Sequence, residues 1–357
     1  MRLRLGVLGT GHFGRFHVLK AKSGARTELV GVHDHNPTRA AQVAAEVGVP
    51  AMSAEAVIAA SDAVIVACPT AGHHGLALQA LRAGRHVLVE KPITATLQEA
   101  DELIAAAATA GRVLQVGQLE RFSAGMAALR SEGGIAARIG RPLYLEAVRI
   151  APFRPRSLDV PVVLDLMIHD LDLALAIFGA PLDSVDAVGA NVASDRTDIA
   201  NARLRFANGA VATLTASRVS LKMERRLRLF GTEGYLQMDF LARTMHVVRE
   251  DAGDVIRKDA GDVVRKDAGA VIREEAQGGG AVGAMGGMQP LDQLPGFGAA
   301  VSSWTDRDSL EAEHASFAAA CLDGAPVEAD GAAGRAALDA ALRVEAAILA
   351  TRQAAGI

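Results

Sequence analysis

The sequence predicts an α/β domain with a parallel sheet, followed by an α+β domain built on an open, largely antiparallel sheet. Three observations lead there. Short apolar runs alternate with Ala-rich helical patterns from Leu3 to about Val116. Beyond about Arg121 strand-like runs follow one another with few long helices between them. And a chain of 357 residues is long for a single hydrophobic core.

In the first part the expected strands are Leu3–Leu8, Leu29–His33, Ala63–Ala67, His86–Val89 and Val113–Val116. Segments with helical spacing lie between them at Thr38–Val47, His74–Ala83 and Thr96–Ala110. Strands apolar on both faces, each followed by a helix, indicate a parallel sheet covered on both sides. In the second part, Leu143–Ile150, Val185–Val192, Ala200–Phe206, Ala210–Arg218, Arg226–Phe230 and Tyr235–Phe240 are expected strands. Asn208-Gly209 between two alternating runs signals a hairpin. A helix over about Val162–Phe178 ends at Gly179-Ala180-Pro181, and helical patterning returns at Ser309–Leu322 and Ala332–Ala350. The expected division is therefore a dinucleotide-binding domain over 1–121 and a substrate-binding, oligomerising domain over 122–357.

Residues 251–274 form a tandem repeat of period eight, DAGDVIRK, DAGDVVRK and DAGAVIRE, and a Gly-rich stretch from Gly278 to Gly287 follows. Three such units are too short to bury a core of their own. The whole of 247–290 is read as an insertion: a duplicated hairpin extension or loop.

Composition excludes several function classes. Charged residues make up 22% and the formal net charge is -4, so no basic excess exists to hold a nucleic-acid backbone. No apolar run approaches the roughly 20 residues that cross a bilayer, and the apolar stretch at the N-terminus is too short for a signal segment. Two cysteines, Cys68 and Cys321, make no disulfide framework. A cytoplasmic protein with neither a nucleic-acid nor a membrane partner is expected.

Gly9-Thr10-Gly11-His12-Phe13-Gly14 directly follows the first strand and opens the first helix. Glycine permits the tight turn at Gly9 and close approach of a pyrophosphate at Gly11. Gly14 lets the helix pack on the sheet with its N-terminus facing the phosphates. Asp34 ends the second strand twenty residues after Gly14. A carboxylate there hydrogen-bonds ribose hydroxyls and repels a 2′-phosphate, so NAD is expected over NADP, although Arg39 lies within reach of such a phosphate.

Three blocks carry a family resemblance: Cys68-Pro69-Thr70-Ala71-Gly72-His73, the run Ala83 to Pro92 ending Glu90-Lys91-Pro92, and Asp165-Leu166-Met167-Ile168-His169-Asp170. In this order they resemble the glucose–fructose oxidoreductase and inositol dehydrogenase (Gfo/Idh/MocA) family across nearly the whole chain outside the repeat. The resemblance implies an NAD(P)-dependent dehydrogenase acting on CH–OH groups. Lys91, Asp165 and His169 are its implied catalytic groups, and Pro69, His73 and Glu90 lie against the cofactor. The residue chemistry agrees. A lysine at a strand's carboxyl end can hydrogen-bond a reacting oxygen, an imidazole titrates near working pH, and Asp165 and His169, four apart on a helix, share one face. Glu90 is expected to contact the cofactor or orient Lys91. Asp170 and Asp172 point to other faces and are read as helix-surface or interdomain contacts, so no metal is expected.

Val116 to Phe122, with Arg121, and the segment Ala151 to Val160, with Arg154 and Arg156, resemble a UDP-sugar-handling branch of that family. Gln118 and Ser123 depart from the branch pattern. Arg121, Arg154 and Arg156 are thus candidate substrate contacts, since arginine forks suit a diphosphate. The implied reaction is oxidation of C3 of a UDP-N-acetylhexosamine to the 3-keto sugar. The alternatives are a free sugar or inositol dehydrogenase, and a non-catalytic sensor of NAD or sugar. By resemblance the protein assembles as a homodimer or homotetramer.

Overall fold

The structure is a computed structural model and describes residues 1–153, 160–250, 272–274 and 297–356. It contains two compact units, Met1–Phe122 with Asp308–Leu342, and Ser123–Arg307 with Arg343–Ile357. The sequence expectation placed everything after residue 121 in one domain; the segment 308–342 instead counts with the first unit. A packing reason is visible. Phe317 and Ala318 belong to the same buried cluster as Leu3, Leu5, Val7 and Leu29 of the parallel sheet.

In the first unit the strands are β1 (Leu3–Leu8), β2 (Thr27–His33), β3 (Ala63–Val66), β4 (His86–Glu90) and β5 (Leu114–Gly117). They form one parallel sheet in the order β2-β1-β3-β4-β5. Helices α1 (His12–Ser23), α2 (Pro37–Val47), α3 (Ala54–Ala60), α4 (His73–Arg82) and α5 (Leu97–Ala110) connect the strands. Caps explain several boundaries: Asn36 and Ser53 cap α2 and α3, and Thr96 with Glu99 forms a capping box on α5. Helix α3 is the one connector the sequence did not reveal, being only seven residues long. The strand order reverses between β1 and β3, which places the topological switch point beyond their carboxyl ends.

The second unit contains α6 (Ala124–Arg130), α7 (Gly134–Ile139), and β6 (Pro142–Pro152). A π-helical turn, Val163–Met167, then runs into α8 (Ile168–Phe178). Strands β7 (Leu182–Ala190), β8 (Ile199–Phe206), β9 (Val211–Ser220), β10 (Glu224–Gly231), β11 (Gly234–Asp239), β12 (Thr244–Glu250), β13 (Ile272–Glu274) and β14 (Phe297–Trp304) complete it. The nine-stranded sheet has the order β13-β14-β12-β11-β10-β6-β9-β8-β7. Every neighbouring pair is antiparallel except β6 with β9. The hairpin at Asn208-Gly209 is present, with Gly209 at φ +85° where a left-handed residue is required. Alternation sets the faces. Leu145, Leu227, Leu229 and Leu236 are buried, while Tyr144, Arg228, Phe230 and Tyr235 are half-exposed on the opposite side. Helices α9 (Ser309–Asp323) and α10 (Gly331–Ala355) follow, and the division between units falls inside α10. Apart from β13, the repeat and the Gly-rich stretch lie outside the described residues.

Among the described residues no helix is long and apolar enough to cross a membrane.

Candidate cofactor and catalytic sites

The turn between β1 and α1 is built by steric exclusion. Gly9 adopts φ +103°, and a Cβ there would lie 2.5 Å from the Cys68 amide nitrogen. A Cβ on Gly14 would lie 2.1 Å from the Gly9 carbonyl oxygen. Gly11 differs: a Cβ there would meet nothing within 4 Å. It is also the N-cap of α1, a 12-residue helix, and makes no side-chain cap bond to the first amides. That combination fits a dinucleotide pyrophosphate, which supplies the acceptors the helix end lacks. His12 and Phe13 begin this helix, and Phe13 packs edge-on against His17.

Asp34 locks the same turn. Its Oδ2 accepts from the Thr10 amide at 2.8 Å and from Thr10 Oγ1 at 3.1 Å, while Oδ1 accepts from the Asn36 amide at 2.9 Å. Burial alone would raise its pKa, but those bonds and the Arg39 guanidinium, 3.4 Å away, hold it below the ordinary carboxylate range. A cavity of about 250 Å³ opens beside it at the switch point, lined by Gly9, Asp34, His35, Cys68 and Pro69 among others. An adenosine half fits this place: small residues on one wall and an ionised carboxylate at the rim. Burial pushes the Cys68 thiol up to about 11, so it lines the wall as a small apolar group rather than as a nucleophile.

His73 is buried, and its ring nitrogens lie 2.9 Å from the carbonyl oxygens of Pro92 and Cys68. It fastens the Cys68-Pro69 loop to the turn that carries Lys91. Glu90, the last residue of β4, accepts from the Lys91 amide through Oε2 at 3.2 Å and meets His17 Nε2 through Oε1 at 2.8 Å. Gly117 on the neighbouring strand leaves the room this requires, since a Cβ there would lie 2.6 Å from Glu90 Oε1. The Arg121 side chain is buried and donates to the Glu328 carbonyl at 2.7 Å.

In the second unit, Asp165 lies in the π-helical turn and His169 in the first turn of α8. The sequence had suggested one regular helix; a π turn at this position is a recurrent feature of functional sites. Its approach is tightly held. The Val162 amide bonds the Thr197 carbonyl at 2.8 Å, and the Asp165 amide bonds the Pro161 carbonyl at 3.0 Å. Asp198, fully buried, accepts from the amides of Val192, Ala193 and Ser194 and pairs with Arg218 at 2.7 Å. Arg218 in turn donates to the Val160 carbonyl at 2.7 Å. For Asp170 and Asp172 the helix-surface alternative is corrected, since both are buried. Arg149 grips Asp170 with two bonds of 2.9 and 2.8 Å, through a fork on β6 that no motif announced. Arg154 and Arg156 lie outside the described residues.

Sequence reasoning also missed a buried cluster beneath Glu90. His17 Nδ1 lies 2.9 Å from His314 Nε2, and Glu313 is next to them with neither carboxyl oxygen hydrogen-bonded. His17 offered a signal, three residues after Gly14 on a helix face turned to the sheet. Glu313 and His314 offered none, lying almost 300 residues further along the chain (297 between His17 and His314).

A glycine turn at the start of α1, a carboxylate closing β2 and a pocket at the switch point together define a dinucleotide-binding Rossmann domain. Residues 3–118 match the oxidoreductase family with an NAD-binding Rossmann fold (GFO_IDH_MocA), and residues 136–237 match the GFO/IDH/MocA C-terminal domain. The chain belongs to the Gfo/Idh/MocA oxidoreductase family and uses NAD. It is 39% identical over 354 residues to UDP-N-acetylglucosamine 3-dehydrogenase of Acidithiobacillus ferrooxidans, spanning 99% of each chain. The solved structure of that enzyme superposes with a TM-score of 0.81 over 98% of both chains. The scyllo-inositol 2-dehydrogenase (NAD(+)) of Bacillus subtilis is 30% identical over 264 residues, covering 69% of this chain and 76% of the relative. WlbA dehydrogenase of Bordetella pertussis, solved with NADH and UDP-GlcNAcA, shares the fold at 19% identity, with a TM-score of 0.71 over 98% of this chain and 97% of that one.

Proposed function

We propose that this enzyme oxidises C3 of a UDP-N-acetylhexosamine, UDP-N-acetylglucosamine above all, to the 3-keto sugar. The observation that carries the reading is the end-to-end similarity to the Acidithiobacillus enzyme, at 39% identity with both domains included. The inositol dehydrogenase similarity is lower and covers less of the chain, which favours the nucleotide sugar over a free polyol.

NAD, when bound, supplies the hydride acceptor. The glycine turn and the N-terminus of α1 hold the pyrophosphate, and Asp34 with the Pro69 loop holds the adenosine side. Lys91 hydrogen-bonds the reacting hydroxyl and stabilises charge as it develops on oxygen. His169 takes the hydroxyl proton, and Asp165 orients the imidazole or the sugar. Arg121, Arg154 and Arg156 are proposed diphosphate contacts. His73 and Glu90 act through the loops they hold.

The enzyme is further proposed to be a cytoplasmic homo-oligomer that joins through the open face of its nine-stranded sheet. Tyr144, Phe230 and Tyr235 stack there in a half-exposed row, and Arg228 lies 5.2 Å over the Phe230 ring. Sedimentation of a Phe230→Glu variant checks this; an unchanged oligomer would move the interface elsewhere.

The functional proposal is tested by NADH formation across UDP-sugars, free sugars and inositols, with the Lys91→Ala variant in parallel. UDP-N-acetylglucosamine is expected to give the highest kcat/KM. Lys91→Ala is expected to lose about 10²–10⁴-fold in kcat while still binding NAD. Undiminished turnover in that variant would remove Lys91 from the chemistry. NAD binding without turnover on any sugar would favour a sensor instead.

A further inference from the structure

The cluster beneath Lys91 has an internal logic that the catalytic trio does not use. Its members come from three elements: His17 on α1, Glu90 at the end of β4, and Glu313 with His314 on α9. His17 and Glu313 are fully buried and His314 nearly so. Ligand-type atoms of His17, Glu90 and Glu313 lie within 4.8 Å of one another. Two carboxyl groups therefore share a space almost without water.

The hydrogen bonds give this space a direction. One proton placement satisfies both short contacts: His314 Nε2–H donates to His17 Nδ1, and His17 Nε2–H donates to Glu90 Oε1. The chain ends on a carboxylate whose other oxygen accepts from the Lys91 amide. Glu313 stands apart, with neither oxygen hydrogen-bonded. An ionised carboxylate so placed, facing Glu90, would face both a desolvation penalty and like-charge repulsion. A proton on it removes both.

We propose that Glu313 is a resident neutral acid packed against Glu90, and that His17 and His314 are positioning residues whose hydrogen-bonded chain holds the Glu90 side chain and so fixes the Lys91 turn. This rests on the reading of Lys91 as the group at the reacting hydroxyl. Complete burial, and then the Glu90 charge, raise the Glu313 carboxyl well above its ordinary range. Burial, then His17 and Lys20, hold the His314 ring well below its ordinary value, with Asp308 opposing. Lys20 is itself paired with Asp308 at 2.5 Å and with Glu311 at 3.4 Å. A metal fits less well. His17 Nε2 and Glu90 Oε1 are 2.8 Å apart, whereas ligands on a tetrahedral zinc with bonds of about 2.1 Å sit about 3.4 Å apart.

The test combines infrared spectroscopy with kinetics on the full-length protein. A carbonyl stretch of a protonated carboxylic acid is expected near neutral pH and is expected to vanish in Glu313→Gln. The amide keeps the site neutral and nearly isosteric, so kcat should stay within about threefold and its pH profile should not move. His17→Leu should lower kcat about 10- to 100-fold with little change in NAD affinity, and His17→Gln, which restores a donor near Nε2, should recover much of it. Absence of the acid band would overturn the proposal, as would a shifted pH profile in Glu313→Gln or a stoichiometric divalent metal in the purified protein. Turnover that survives Lys91→Ala would instead defeat the catalytic reading, leaving the infrared result to stand or fall on its own.

Discussion

Gly117 and Glu90 form the most economical pairing in the first unit. A methyl group at residue 117 would collide with the Glu90 carboxylate, whose side-chain atoms are the three nearest to it. Because the far end of Glu90 can swing aside, Gly117→Ala is expected to change Tm little. It should lower kcat by about tenfold or more by loosening the Lys91 turn; thermal melts alongside steady-state rates check this, and an unaffected kcat would detach Glu90 from catalysis. Gly14→Ala should behave in the opposite way. Its methyl would meet the Gly9 carbonyl at 2.1 Å, a backbone atom that cannot move without opening the nucleotide turn. Loss of measurable NAD binding, followed by calorimetry, is expected. At this scale the sequence was informative where backbone dictates identity. Gly9, Gly11, Gly14 and Asp34 were legible because chain geometry near a phosphate leaves few substitutes. His17, Glu313, His314 and Arg149 were not, because their partners lie far along the chain and no spacing rule links them.

Secondary-structure elements position the second-unit residues through a buried acid–base pair. Asp198 receives three amides and the Arg218 guanidinium, and Arg218 reaches on to the Val160 carbonyl, three residues before the π turn that carries Asp165. Burial would raise the Asp198 carboxyl, but these bonds and Arg218 hold it far below its ordinary range. Since the folded-state value is depressed, the stabilisation is complete above the unfolded value of about 3.9 and fades as pH falls below it. Asp198→Asn should therefore cost about 3–5 kcal/mol near neutral pH and flatten the acid limb of the stability curve. Urea unfolding at several pH values measures both; an unaltered acid limb would assign the acid sensitivity to other groups. The helix from Val162 to Phe178 was legible from its apolar period, yet its π turn was not. An inserted residue changes hydrogen bonding without breaking the apolar pattern. Strands β12 and β14 escaped notice for a related reason, flanking a repeat that obscures where alternation stops.

At the scale of the whole molecule, the order of elements explains why one motif could suggest so much. Alternating strand and helix fixed a parallel sheet, the reversal between β1 and β3 fixed where a dinucleotide must lie, and the glycine turn marked the spot. The return of 308–342 to the first unit was hidden, because amphipathic helices give no address for the sheet they cover. The substrate depends on similarity along the entire chain, so its test should follow the reacting atom itself. The decisive measurement uses UDP-N-acetylglucosamine deuterated at C3, with the reduced cofactor analysed by mass spectrometry. The account predicts that NADH formed by this enzyme carries the deuterium, with a 3-keto sugar as the co-product. NADH formed without deuterium, or none formed at all, would contradict oxidation at that carbon.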